Sequence, residues 1–153
     1  MTATIRPLTE NDLAEASALC LRSKAHWGYD VEFMNACRTE LTLTAADLKG
    51  DLTVGAVHDD TILAVAQLCE AGGRWELEKL FVEPNAMGRG FGRLLIEWAI
   101  DTVAAHGGTR IEVASDPVAA PFYRSMGAED AGQAASGSIP GRVLPRLILH
   151  VGR

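Results

Sequence analysis

Along this chain the apolar residues recur at two spacings, about 3.6 and 2 residues, which mark one face of a helix and one face of a strand. Residues 3–6 predict a short strand. Thr9-Glu10-Asn11-Asp12 has the form of a capping box with Asp in the acidic position, ahead of Leu13, Ala16, Leu19 and Cys20 at helical spacing. A second helix follows, with Phe33, Met34, Cys37 and Leu41 on one face. From residue 52 the pattern becomes that of strands. Residues 52–58 and 61–69 are rich in β-branched side chains and flank the Asp59-Asp60 turn, which predicts a hairpin, and Arg74–Val82 continues it as a meander. Residues 90–105 place Phe91, Leu94, Leu95, Trp98, Ala99 and Val103 on a broad apolar stripe, a helix that packs on a sheet. Residues 109–114 form a strand reached by a strand–helix–strand crossover, so it should lie parallel to the 74–82 strand. Asp116-Pro117 has the form of a helix start and Gly127 of its stop. A glycine- and serine-rich loop then feeds a terminal strand, and Pro145 points to an edge or strand-start position. The expectation is an α/β (α+β) fold whose mixed, mostly antiparallel sheet is flanked by helices.

The most informative stretch joins the 74–82 strand to the long helix: Leu80-Phe81-Val82-Glu83-Pro84-Asn85-Ala86-Met87-Gly88-Arg89-Gly90-Phe91-Gly92-Arg93. Glycines at 88, 90 and 92 remove Cβ atoms where the chain bends. The helix that follows points unpaired N–H groups and the positive end of its dipole back at the turn, an arrangement that suits a diphosphate. The spacing also serves a plain strand-to-helix turn. It is neither the dinucleotide Gly-x-Gly-x-x-Gly nor a Walker A sequence.

Composition narrows the reading. The 153 residues suit one domain spanning 1–153, and 48% hydrophobic with 22% charged residues is ordinary for a globular chain. Fourteen basic against 20 acidic residues give a net charge of −6, which argues against a nucleic-acid surface and favours a cationic or amine partner. Cys20, Cys37 and Cys69 lack metal-site spacing and sit in apolar surroundings, as reduced thiols in a cytoplasmic protein do, so no metal is expected. No apolar run is long enough to span a bilayer, and the N-terminus lacks the apolar region of a signal peptide. No internal repeat is found.

Four further groups carry candidate chemistry. His26, Trp27 and Tyr29 cluster around Gly28, either as a substrate wall or as caps on the core between two helices. Glu76 and Glu78 are two apart, so a regular strand turns both carboxylates to one face, where they are either solvated or available as a base. Tyr123 lies beside Phe122 on the short helix, placed for core packing or for proton donation. Arg142 reads as a surface arginine or an anion contact.

With these residues in view the chain resembles the GNAT acetyltransferase superfamily. Leu80-Phe81-Val82-x-Pro84 and Met87-Gly88-Arg89-Gly90-Phe91-Gly92 correspond to its strand end and pyrophosphate loop, with Met87 where Gln or Arg is usual. Ala119-x-x-Phe122-Tyr123-x-x-Met126-Gly127-Ala128 corresponds to its second signature, with Asp116 for the usual Asn and Ala128 for the usual Phe. The resemblance implies a sheet whose two parallel strands splay apart, with acetyl-CoA in the V and its pantetheine arm on the backbone of Leu80 and Val82. It extends the cofactor site to Phe81, the 87–92 loop, Arg93, Asp116, Phe122 and Tyr123. It further implies that Glu76, with Glu78 as second choice, accepts the proton of an attacking amine, and that Tyr123 assists the leaving thiolate. The segment with His26, Trp27 and Tyr29 then borders the acceptor together with Glu76 and Glu78. The expected function is transfer of acetyl from acetyl-CoA to a primary amine of a small molecule by direct attack in a ternary complex. Neither nucleic acid nor membrane is an expected partner, and a homodimer is left open. The alternatives are a non-catalytic acyl-CoA-binding module and a protein-modifying acetyltransferase domain.

Overall fold

The computed structural model describes residues 2–152, so Met1 and Arg153 of the expected 1–153 unit lie outside the described residues. Seven strands form one sheet: β1 (Thr4–Pro7), β2 (Leu52–His58), β3 (Thr61–Ala71), β4 (Arg74–Val82), β5 (Arg110–Ala114), β6 (Glu129–Ala135) and β7 (Val143–His150). Their order is β1-β2-β3-β4-β5-β7-β6, and among these neighbours β4 and β5 are the parallel pair. The β2–β3 turn is closed by Asp59 and Asp60, both at positive φ (49° and 62°), the conformation a two-residue hairpin loop requires.

Helices cover both faces. α1 (Leu13–Ala25) and α2 (Val31–Leu41) bury Leu19, Cys20, Cys37 and Leu41 against Val57, Ile62 and Val65 of the sheet. Each start follows from sequence. Asp12 accepts the Thr9 N–H at 2.8 Å ahead of a short 3-10 turn and α1, and the Asp30 side chain accepts the Phe33 N–H at 2.8 Å to cap α2. On the opposite face α4 (Phe91–Ala105) buries Leu95, Ile96, Ala99 and Val103 against Leu68, Leu77, Ile111 and Leu147, and α5 (Ala120–Ser125) adds Tyr123 to the same core. α3 (Ala45–Gly50), capped by Thr44, lies between α2 and β2.

Four features depart from the sequence expectations. α3 was not expected, because Leu48 is the one large apolar residue in its six positions. β6 was not expected either, since its run Glu-Asp-Ala-Gly-Gln-Ala-Ala has no alternation and is mostly exposed. β6 therefore takes the edge and β7 lies inside the sheet, where Pro145 is tolerated because the β6–β7 ladder breaks between Asp130 and Gln133 beside it. Finally, α5 begins at Ala120 rather than at Pro117. The Asp116 carboxylate accepts the Val118 N–H, and the turn closes on Ala119 before regular helix starts.

Candidate active site

β4 and β5 pair at Trp75↔Ile111 and Glu76↔Glu112, and their ladder goes no further. From Leu77 to Val82, β4 bonds to β3 alone, while β5 turns to β7. The V is fastened at its vertex by Glu112, whose buried carboxylate takes two hydrogen bonds from Arg74 of β4 (2.9 and 3.0 Å) and one from Arg146 of β7 (2.6 Å). These arginines hold the Glu112 carboxyl below the usual range, Arg74 contributing most. The open part of the V is a cavity of about 690 Å³ that reaches from the glycine turn, past the free edge of β4, to the end of α1.

At one end of the cavity the three glycines have different reasons to be glycine. Gly88 (φ +79°) and Gly90 (φ +91°) occupy the left-handed region, and a Cβ on either would meet open space. Gly92 is helical. Its missing Cβ makes room for the Phe122 ring, which would stand 3.0 Å from it, so Gly92 seats α5 against α4. Gly90 is also the N-cap of the 15-residue α4, whose first-turn N–H groups precede the ladder that begins with Leu94 N–H on the Gly90 carbonyl.

Tyr123 is 6% exposed, stands edge-on to Phe122 (5.4 Å between ring centroids) and lines the same cavity. Burial pushes its phenol up, so the group stays protonated throughout the neutral range.

At the far end Glu76, Glu78 and Lys79 of β4 line the cavity with Glu40 of α2 and Trp27. β4 is not the regular strand the sequence suggested. The ladder steps from Gln67↔Lys79 to Gln67's neighbour Leu68↔Leu77 and leaves Glu78 as a bulge. Trp75 and Leu77 before the bulge, and Leu80 and Val82 after it, consequently pack in the same core, while Phe81 packs in the α1–α2 core. Lys79 is buried and donates to Gln67 Oε1 at 2.9 Å, and Gln67 donates in turn to Asp51 at 2.7 Å. Partial desolvation, then the negative charge of Glu76, holds the Glu78 carboxyl above the usual range; Asp51 and Glu40 add to this and Lys79 opposes it.

Most of the sequence-derived residues meet here. Glu76, Glu78, Leu80, Phe81, Val82, Met87, Gly88, Gly90, Phe91, Gly92, Arg93, Asp116, Phe122, Tyr123 and Trp27 line the one cavity. His26, Tyr29 and Arg89 do not. His26 is exposed and edge-on to Trp27, and Arg89 is exposed on the turn. The Tyr29 hydroxyl donates to Asp116 (2.8 Å) and its ring stacks on Phe33, so Trp27 is the member of this cluster that lines the cavity. Asp116 reaches the cavity with its carboxylate already engaged by Lys24, Tyr29 and Val118 N–H. Sequence reading missed Lys24, Glu40, Lys79 and Gly137. None lies in a motif, and the chain brings them together from four separate elements.

Among the described residues no group of three or more His, Cys, Asp or Glu side chains is placed to hold a metal ion, and no helix is long and apolar enough to cross a membrane.

A seven-stranded sheet splayed at one parallel pair, with a glycine turn leading into a helix at its mouth, defines an acyl-CoA-dependent transferase scaffold, and comparison with known proteins agrees. The acetyltransferase (GNAT) family model matches residues 21–128, and the chain belongs to that family. Among solved structures, a GCN5-related N-acetyltransferase from Rhodopseudomonas palustris superposes with a TM-score of 0.81 at 24% identity, covering 100% of this chain and 97% of that one. PaiA N-acetyltransferase from Thermoplasma acidophilum, solved with coenzyme A, gives 0.77 at 19% identity, covering 98% and 99%. The ribosomal-protein-S18-alanine N-acetyltransferase from Escherichia coli gives 0.72 at 20%, covering 99% and 96%. At these identities the likeness to solved structures is one of fold. Family membership makes acetyl-CoA the cosubstrate, and the residues present suit it: an open cradle over Gly88 and Gly90, an unpaired strand edge on β4, and a cavity running between them.

Proposed function

We propose that this protein transfers an acetyl group from acetyl-CoA to the primary amine of a small molecule, by direct attack while both substrates are bound. The observation that carries the reading is that an open glycine cradle, a buried phenol and a pair of carboxylates line one cavity. Acetyl-CoA supplies an activated acyl group on a thioester whose sulfur departs as thiolate.

The protein's part divides along the cavity. The backbone N–H groups at Gly88, Gly90 and Gly92 face the diphosphate, with Arg93 adding positive charge, and the free edge of β4 at Leu80, Phe81 and Val82 takes the pantetheine arm as an added strand would. An ammonium has no lone pair, so the acceptor must lose a proton before or as its nitrogen forms the C–N bond and the C–S bond breaks. Glu76, or Glu78 across the bulge, takes that proton directly or through water. Glu78 has the raised affinity for protons that a base near neutral pH needs, while Glu76 lies beside the vertex of the V. Tyr123 acts on the departing sulfur. Its phenol is held above the ordinary range, and a free thiol titrates at about 8.5, so donation of a hydrogen bond rather than complete proton transfer is the favoured role.

The acceptor end favours a cation. Glu40, Glu76 and Glu78 make no ion pair with Lys or Arg among the described residues, and an amine approaching from solvent enters a field that attracts it. The test is release of free thiol from acetyl-CoA over a panel of amino acids, alkylamines, di- and polyamines, arylalkylamines and a peptide with a free N-terminus. Turnover with a small amine is the expected result. Turnover with the peptide alone would assign a protein-modifying activity, and tight acetyl-CoA binding without turnover on any amine would leave a binding module.

A further inference from the structure

Three segments far apart in sequence, residues 24–33, 116–118 and Arg142, meet at the Asp116 carboxylate. Oδ2 takes the Lys24 ammonium at 3.0 Å and the Tyr29 hydroxyl at 2.8 Å, and Oδ1 takes the Val118 N–H at 2.9 Å. The Tyr29 oxygen accepts in turn from the Arg142 guanidinium at 2.9 Å, whose same nitrogen stands 3.7 Å from Asp116. Tyr29 lies flat on Phe33 with ring centroids 4.0 Å apart, and the guanidinium carbon of Arg142 sits 4.8 Å from the Phe33 centroid. The side chains of Lys24, Asp116 and Arg142 are between 12% and 19% exposed, so this is a semi-buried network rather than a set of surface pairs.

Lys24 and Asp116 line the cavity, whereas Tyr29 and Arg142 stand behind it. What Arg142 holds is the loop between β6 and β7. That loop is closed on itself: Ser136 N–H bonds the Arg142 carbonyl, Arg142 N–H bonds the Ile139 carbonyl, and Ser136 Oγ takes the N–H groups of Ser138 and Ile139. Between its chain ends in β6 and β7 it meets the rest of the protein through the Ile139 side chain, which packs in the α1–α2 core, through Gly137 and through the Arg142 side chain. Its Gly137 lines the cavity and packs so closely on the Glu40 carboxylate that a Cβ there would fall 2.2 Å from Glu40 Oε2.

We propose that Arg142 is a positioning residue for the acceptor: acting through Tyr29 and Asp116, it clamps the β6–β7 loop to the α1–α2 segment and so fixes the wall that Gly137 and Glu40 present to the incoming molecule. The wall's role rests on the transferase reading above. The clamp does not. Arginine suits the position because its guanidinium lies over Phe33 while one of its N–H groups donates to Tyr29, and its planar set of donors holds that geometry more firmly than a single ammonium. The same tie explains why Tyr29 leaves the cavity.

The experiment compares Arg142→Met, Arg142→Lys and Tyr29→Phe with wild type by amide hydrogen exchange of residues 136–142, without any substrate. Losing a charge-assisted hydrogen bond should speed exchange in this loop about tenfold in Arg142→Met, with little change in β2 to β5, and Arg142→Lys should recover only part of it. Tyr29→Phe keeps the stacked ring and should speed the same amides, so it serves if Arg142→Met folds poorly. The two changes together should speed exchange by less than the product of the single effects, because they cut one chain of bonds. Calorimetry should show the acetyl-CoA Kd of Arg142→Met within about twofold of wild type, and the KM of the best amine from the panel should rise about tenfold with kcat little changed. Unchanged loop exchange in both Arg142→Met and Tyr29→Phe overturns the clamp, whether or not any amine is acetylated. Faster exchange with an unchanged amine KM overturns its role in acceptor positioning. Faster exchange with no amine acetylated supports the clamp and counts against the transferase reading instead.

Discussion

At the scale of single residues, the site divides one reaction between groups whose surroundings push their protons in useful directions. Tyr123 is buried with its phenol pushed up, so it remains a donor at any working pH. Tyr123→Phe keeps the ring that packs with Phe122 and removes the donor. Turnover should fall on the order of 10²-fold with acetyl-CoA affinity nearly unchanged, measured as single-turnover rate and calorimetric Kd. Unchanged chemistry would leave Tyr123 as a packing residue. The base is decided by pH. Glu78 carries the raised carboxyl, so if it accepts the amine proton, the acidic limb of kcat/KM lies above the ordinary carboxyl range and vanishes in Glu78→Gln. If Glu76 is the base, Glu76→Gln abolishes the acidic limb and Glu78→Gln leaves one in place. Spacing alone made both carboxylates visible in the sequence. The family resemblance ranked Glu76 first, but the raised carboxyl of Glu78 was not visible, because it comes from burial at the bulge and the charge of Glu76, with Asp51 and Glu40, which neither motif contains, adding to it.

At the scale of elements, the β4–α4 junction was the most legible part of the chain, since three glycines between an apolar strand and an amphipathic helix admit few other structures. Their individual reasons were hidden. Gly88 and Gly90 answer to backbone conformation and open space, and Gly92 answers to Phe122, which lies thirty residues on. The distinction predicts different outcomes. Gly90→Val forces a branched side chain into a positive-φ position and into the space over the turn, so acetyl-CoA affinity should drop by at least about tenfold, read by calorimetry. Wild-type affinity would refute the cradle. Gly92→Ala should instead displace the Phe122 ring and lower stability by about 1 kcal/mol, leaving the turn's own conformation intact. Short or irregular elements escaped the sequence for a common reason. α3 and β6 have too few apolar positions to show a period, and they form because Thr44 caps the one and the β7 backbone pairs with the other.

At the scale of the whole molecule, ties between oppositely charged side chains join separate elements, and two of them hold the cavity's frame. Glu112 closes the vertex of the V with Arg74 and Arg146, Asp116 gathers Lys24, Tyr29 and Arg142 behind the acceptor wall, and Asp12 joins Arg6 of β1 to the start of α1. The Lys24–Asp116 and Arg74–Glu112 pairs bridge 92 and 38 residues, so no local pattern announced them. All three carboxyls are held below the usual range, Glu112 first by Arg74, Asp12 at about 2 first by Arg6, and Asp116 by Val118 N–H and Lys24 against the upward push of burial. A carboxyl whose folded pKa is depressed contributes stability that is fully present above its unfolded value, about 4, and is lost as the pH falls through the folded value. Urea midpoints should therefore be level near neutrality and fall below about pH 4, the part due to Asp12 fading toward pH 2. Glu112→Gln removes the charge and turns one of the two oxygens that accept from arginine into an NH2 donor; with its partner Arg74 largely exposed, its cost at pH 7 should be about 1 kcal/mol, or a Tm lower by about 3 °C. That difference should shrink toward zero as the wild-type carboxylate is itself protonated. Glu78 has the opposite sign: its raised carboxyl makes ionisation unfavourable to the fold, so Glu78→Gln should be slightly more stable than wild type at pH 7 and should lose that advantage in acid. A Glu112→Gln deficit that persisted undiminished at pH 2 would mean that the vertex is held by packing and backbone pairing, and not by the charge on Glu112.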